Sequence, residues 1–186
     1  MQKLISTALL FLFFLPGSSY TAETSTNTDI HVRLGVNYFK LNKYQQAAGE
    51  LQKALELDPR IKDVHGILGV SLFHLKRYDE ALKALETAVR LNPEISENYY
   101  NLGLVYLEKG MAQDAIRALQ QALELSPRSA EIHSLLGFIY NQNGKNDKAI
   151  QHYTQAIEAG SNSADNYYNL GIANYNSGNL DEALAA

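Results

Sequence analysis

Apolar residues along most of this chain recur at the three- and four-residue spacing of an amphipathic helix. Leu34, Tyr38 and Leu41 follow i, i+4, i+7, and Leu68, Leu72 and Leu75 do so again. A second stripe follows, made by Ala81, Leu82, Leu85, Ala88 and Val89, about 100° wide around a helix. The pattern itself repeats every 34 positions from residue 28 onwards. Leu34-Gly35, Leu68-Gly69, Leu102-Gly103, Leu136-Gly137 and Leu170-Gly171 fall in step. So do Ala47, Ala81, Ala115, Ala149 and Ala183, then Ala54, Ala88, Ala122 and Ala156. Pro59, Pro93 and Pro127 make a further column, which Ser161 breaks. Each unit therefore predicts two helices joined by a tight turn, and the fold class is all-α.

The punctuation agrees with the stripes. Gly110, Gly144 and Gly178 mark the turn inside the last three units, where glycine takes a left-handed cap at no steric cost. The prolines stand just past the second helix, where a residue without an N–H stops it. Asp79, Asp114, Asp147 and Asp181 sit near the starts of second helices, where the helix dipole favours an acid. A glycine inside a helix costs about 1 kcal/mol against alanine. It recurs in all five units, so close approach of the two helices is expected there.

With these columns the chain resembles the tetratricopeptide repeat family. The family pattern is an aromatic, Leu-Gly, Tyr, Ala, a large apolar residue, Ala and Pro over 34 residues. The third unit carries it as Tyr99, Leu102-Gly103, Tyr106, Ala115, Leu119, Ala122 and Pro127. The resemblance covers residues 28–186 and implies a right-handed α-solenoid of antiparallel helix pairs. The units are expected at 28–61, 62–95, 96–129 and 130–163, with an incomplete fifth at 164–186. The pattern departs from the family at His31, His65 and His133, which replace the aromatic, and at Asn174, which stands where Tyr106 and Tyr140 stand earlier. Ala186 falls partway through a second helix, so the natural polypeptide is expected to continue, or this end to fray or be covered by a partner.

Composition narrows the function. Of 186 residues, 46% are hydrophobic, enough to bury a core. The net charge is −4, and no Lys/Arg-rich run occurs, so a nucleic-acid partner is not expected. There is no cysteine, which removes disulfides, thiolate metal sites and a Cys nucleophile.

The first 22 residues differ from the rest. Lys3 precedes a mostly apolar run over residues 4–15, then Pro16-Gly17 and the small residues Ser18 and Ser19. That is the layout of a secretory signal peptide, and the run is shorter than the roughly 20 residues a membrane-crossing helix needs. A signal peptide is therefore expected at 1–22 and a polar linker at 23–27. The alternatives are an uncleaved anchor or a hydrophobic first helix packed on the repeats. No Asn-x-Ser/Thr acceptor occurs, which leans towards bacterial export, and the periplasm is the expected compartment.

Catalytic signatures are missing. His74 and His152 read as lone histidines, no His-Glu-x-x-His motif occurs, and His31, His65 and His133 read as packing residues. No Gly-x-Ser-x-Gly elbow or phosphate-cradling loop is present. The expectation is a non-enzyme without metal, cofactor or small-molecule substrate. Asp29, Asp63, Glu97, Glu131 and Asp165 place an acid at the start of every first helix. They read as dipole partners, or as a rim selecting basic ligand segments.

The resemblance implies that first helices line a concave groove for a protein or peptide. The groove residues it implies are Val36 and Phe39 in unit one, Val70 and Phe73 in unit two, and Tyr100, Asn101, Leu104 and Leu107 in unit three. Phe138 follows in unit four, and Tyr168, Asn169, Ile172 and Tyr175 in unit five. Asn101 and Asn169 would hydrogen-bond the ligand backbone. Val36, Val70, Leu104, Phe138 and Ile172 stand where a carboxylate clamp would need Lys or Asn, so an acidic tail is disfavoured. The expected function is an exported scaffold for envelope assembly, near the membrane through its partners. Alternatives are the repeat portion of a longer glycosyltransferase or peptidase, or a module that self-associates through its incomplete last unit.

Overall fold

The computed structural model describes the backbone of residues 17–185 and the side chains of residues 27–184. The apolar run at 4–15, the core of the expected signal peptide, lies outside the described residues. The described residues form helices and no strand. In chain order they are α1 (Gly17–Lys40), α2 (Tyr44–Leu57), α3 (Val64–His74), α4 (Tyr78–Leu91) and α5 (Ser96–Glu108). Then come α6 (Ala112–Leu125), α7 (Ala130–Gln142), α8 (Asn146–Glu158), α9 (Ala164–Ser177) and α10 (Leu180–Ala185). Each 34-residue unit holds one antiparallel pair, and each second helix packs on the first helix of the next unit. The result is an all-α solenoid. No helix among the described residues is long and apolar enough to cross a membrane.

Residues 23–27, expected as a linker, are helical and continue α1 backwards from unit one. Between Gly17 and Gly35 the chain has no proline or glycine to stop a helix, and Ala22 and Glu23 favour one.

The column residues build the core. Ala47, Ala81, Ala115 and Ala149 are fully buried, as are Ala54, Ala122 and Ala156. The first four column glycines each make room for a side chain 16 residues on. A Cβ at Gly35 would stand 2.6 Å from Leu51 Cγ, at Gly69 2.5 Å from Leu85 Cγ, and at Gly103 2.8 Å from Leu119 Cγ. At Gly137 it would stand 2.9 Å from Cδ1 and Cε1 of Tyr153. The close approach is thus between one backbone and the facing helix's large apolar side chain.

The turns are built alike. Gly110, Gly144 and Gly178 have φ of 72°, 68° and 82°. Units one and two use Asn42 and Lys76 at the same place, with φ of 56° and 59°. In every unit the N–H after that residue reaches back five positions. Examples are Arg77 N to Leu72 O and Lys145 N to Tyr140 O, each at 2.9 Å.

The exits from second helices differ at one junction. Asp58, Asn92 and Ser126 cap α2, α4 and α6 with φ of −140°, −133° and −134°. A following proline disfavours the helical region for the residue before it, which accounts for these non-helical caps. Unit four has Ser161 in the proline column. There Ala159 stays near helical, at φ −76°, and Gly160 turns the chain at φ 95°.

Candidate functional site

All thirteen groove residues implied by the family resemblance lie on first helices, and none is fully buried. Their neighbours Leu68, Leu102 and Leu136, on the same helices, are at most 6% exposed. Phe138, Tyr168 and Tyr175 are the most open, at 40%, 70% and 67%. The other ten keep part of their surface in solvent.

Some of the thirteen also pack sideways. Phe73, Tyr100 and Leu107 rest against the buried clusters. Phe39 and Phe73 belong to a run of rings that crosses from unit one to unit two. Phe39 meets Tyr44 edge-on at 6.0 Å, Tyr44 stacks on His74 at 4.1 Å, and Phe73 meets both His74 and Tyr78. Aromatic pairs at these separations stabilise beyond their buried area, so this run stiffens the first junction.

Two cavities gather six of the thirteen. One of about 610 Å³ lies between units four and five and brings together Tyr100, Phe138 and Asn169. A second, about 520 Å³ and mostly apolar, is walled by Tyr168, Ile172, Tyr175, Leu180 and Leu184. Val36, Phe39, Val70, Phe73, Asn101, Leu104 and Leu107 line neither. Among the described residues the Asn101 and Asn169 carboxamides make no hydrogen bond to protein.

The first cavity holds residues not expected from the sequence. Tyr153 on α8 takes the place of Leu51, Leu85 and Leu119 and is 1% exposed. Its hydroxyl has no hydrogen-bond partner among the described residues. Burial pushes its pKa up to about 12, so it stays a neutral phenol. Asn166 Nδ2 donates to Ser134 Oγ at 2.8 Å and to Ser161 Oγ at 2.7 Å. The signals were present: Tyr in a leucine column and Ser in a proline column, both in unit four.

The histidines sort into different roles. His31 Nδ1 lies 2.6 Å from Glu50 Oε2. His133 Nδ1 lies 3.0 Å from His152 Nδ1, and His133 Nε2 lies 3.2 Å from the Pro127 carbonyl. His152 was expected to stand alone. It does not, because the turn brings positions 19 apart face to face, a distance that no single-helix spacing rule covers. Units two, three and five have Ala84, Ala118 and Ala186 at that position. Among the described residues no three metal-ligating side chains come together. In the acid column, Asp63 accepts from Asn92 Nδ2 at 3.0 Å and Glu131 from Ser129 Oγ at 2.9 Å. Asp165 has no side-chain partner among the described residues and lines the first cavity.

Comparison with known proteins places this geometry. The tetratricopeptide repeat family model matches residues 32–94, 100–164 and 140–186. No curated protein matches the chain. The crystal structure of MamA is similar, with 29% identity and a TM-score of 0.80, over 88% of each chain. YrrB, described as a TPR protein with an unusual peptide-binding site, shares the fold at 24% identity and a TM-score of 0.76, over 90% of this chain and 86% of its own. TTC0263, a thermophilic TPR protein of Thermus thermophilus, has 27% identity and a TM-score of 0.64, over 85% of this chain and 87% of its own. With matches running from residue 32 to residue 186, the chain belongs to the tetratricopeptide repeat family.

Proposed function

We propose that this protein is a non-catalytic scaffold that holds a segment of a partner protein along its first-helix face. One observation carries the reading. Thirteen residues on that face, mostly aliphatic or aromatic, keep solvent exposure, while in units two to four the leucines beside them, Leu68, Leu102 and Leu136, are closed. A helix face built only for internal packing would bury such side chains. A partner segment laid there removes them from water at about 1.5–3 kcal/mol for each large side chain, before ordering costs. The test is selection of peptides from a displayed library, with a Tyr100→Ser, Leu104→Ser, Phe138→Ser variant as the counter-target. Peptides that prefer the unaltered protein at least tenfold support the reading. Equal retention by both, with helicity intact, sinks the groove.

The site of action we propose is the bacterial envelope, reached by export through residues 1–22. The support is the Lys3 start, the apolar run at 4–15 and the small residues before position 20. A reporter enzyme active only outside the cytoplasm, fused after residue 30, is expected to be active and to lose activity when residues 4–15 are deleted. Self-association through unit five is a second reading, favoured by the apolar cavity around Tyr168, Tyr175 and Leu184. Concentration-dependent sedimentation that a Tyr175→Ser, Leu184→Ser variant abolishes would support it.

A further inference from the structure

We infer that the cavity between units four and five is a subsite for a lysine or arginine side chain of the bound segment, an inference that rests on the groove reading above. The repeat supplies its own control. Unit four departs from the three units before it at two core-determining positions, Tyr153 for leucine and Ser161 for proline. Each substitution adds a hydroxyl, and both residues line this one cavity. The wall also differs in backbone, since Gly160 turns the chain at positive φ where Asp58, Asn92 and Ser126 hold φ of −140°, −133° and −134°.

The cavity is short of a hydrogen-bonding group. Tyr153 is 1% exposed, and its hydroxyl meets no partner among the described residues. Buried polar groups are almost always paired, so an unpartnered one at a cavity wall marks a place for a ligand atom. Asn166 spends both amide protons on Ser134 and Ser161, and Ser134 passes its own proton to the Ala130 carbonyl at 2.8 Å. Ser134 is therefore filled, Ser161 accepts from Asn166 and from Ser163 N at 3.4 Å, and the Tyr153 hydroxyl is left with an unused lone pair and an unused proton.

Charge selects the ligand. Glu131 and Asp165 line the cavity with Arg128 as the lone cation, for a net of −1. Arg128 also lines the adjoining cavity beside His133 and Glu158. None of the thirteen groove residues is Lys or Arg. A carboxylate entering here would meet two like charges. An apolar side chain would leave the Tyr153 hydroxyl and the Asn169 carboxamide without partners in a dry site. A lysine or arginine answers the negative charge and can donate to the unused Tyr153 lone pair. Its aliphatic stem lies along Tyr100 and Phe138, where the rings also favour a cation, and its N–H groups donate to the Asp165 carboxylate and the Tyr153 oxygen.

The test uses the full chain, isotope-labelled, titrated with n-butylguanidinium. Pentanoate and pentanamide serve as the anionic and neutral probes of matched length. The expected result is saturable shifts confined to backbone amides around 159–169 and 134–138 with butylguanidinium only. Asp165→Asn and Tyr153→Phe are each expected to weaken that binding, on the order of tenfold for the charge removal. Tyr153→Leu installs the residue that three other units carry, so it keeps the fold and serves as a second hydroxyl deletion. Equal shifts from pentanoate or pentanamide, no saturable shifts from butylguanidinium, or indifference to Asp165→Asn would overturn the subsite. The library selection separates this failure from that of the groove. Peptides that need Tyr100, Leu104 and Phe138 but show no Lys/Arg enrichment sink the subsite and leave the groove standing.

Discussion

His133 on α7 and His152 on α8 meet through their Nδ1 atoms, 3.0 Å apart. The Pro127 carbonyl can only accept, so His133 donates to it through Nε2 and keeps Nδ1 bare. His152 then donates through Nδ1. In that arrangement the two Nδ1 atoms are paired with each other. His152 also stacks on Tyr140, with Lys148 over the same ring.

Burial first, then His133 and Lys148, lower the pKa of His152 to about 4. The unfolded chain takes up that proton near 6.5. Between those values the unfolded state binds more protons, so stability falls as pH drops from 6.5 towards 4. The urea midpoint is expected to decline over that range. His152→Ala, which copies Ala84 and Ala118, should flatten the decline without abolishing it, because burial also lowers the His65 pKa. An unchanged slope in the variant would refute the assignment.

Two glycines that look alike in sequence should respond oppositely. A Cβ at Gly103 would stand 2.8 Å from the fully buried Leu119. Overpacking of about 1–3 kcal/mol then exceeds the roughly 1 kcal/mol gained in helix propensity, so Gly103→Ala should destabilise. Gly49, inside α2, has nothing within 4 Å of a Cβ, and Gly49→Ala should stabilise by about 0.5–1 kcal/mol. Chemical denaturation of the two variants decides the matter.

Lys76 holds a left-handed backbone, φ 59°, where Gly110 and Gly144 do the same work in later units. A residue with a Cβ is about 1–2 kcal/mol worse there than glycine. Lys76→Gly is expected to raise the thermal midpoint, while Gly110→Lys lowers it. Equal midpoints would show that the surroundings remove the penalty.

Tyr153→Phe should stabilise the free protein. The change deletes a buried hydroxyl that lacks a partner and leaves the ring against Gly137. The gain is about 1 kcal/mol, or about 2–4 °C in thermal midpoint for a chain of this size. The same variant should bind butylguanidinium more weakly. A stability loss instead would mean that the hydroxyl already has a partner, such as a trapped water.

The helix pairs were legible because the 34-residue period repeats each signal, so a weak stripe in one unit is read through four others. The face of the first helices that lines a groove was implied by the family resemblance, not by the period. Relations across the turn were hidden. His31 with Glu50 and His133 with His152 are 19 apart, and the glycine-to-Leu/Tyr contacts are 16 apart. Neither spacing belongs to one helix. The cavity at units four and five was hidden for a different reason. It is lined by two departures from the repeat, Tyr153 and Ser161, that lie eight residues apart in sequence and come to one wall only through the backbone. The sideways packing of Phe39 and Phe73 depended on ring orientation, which periodicity does not carry.

Each helix packs substantially only on helices one or two places along the chain. A ribosome emitting this protein would therefore complete every contact of a unit within a few dozen residues of making it. The same neighbour-only wiring lets a gene gain or lose a whole unit while every remaining junction keeps its chemistry. A novelty confined to one junction, such as the Tyr153–Ser161 pair, can then arise without disturbing the others.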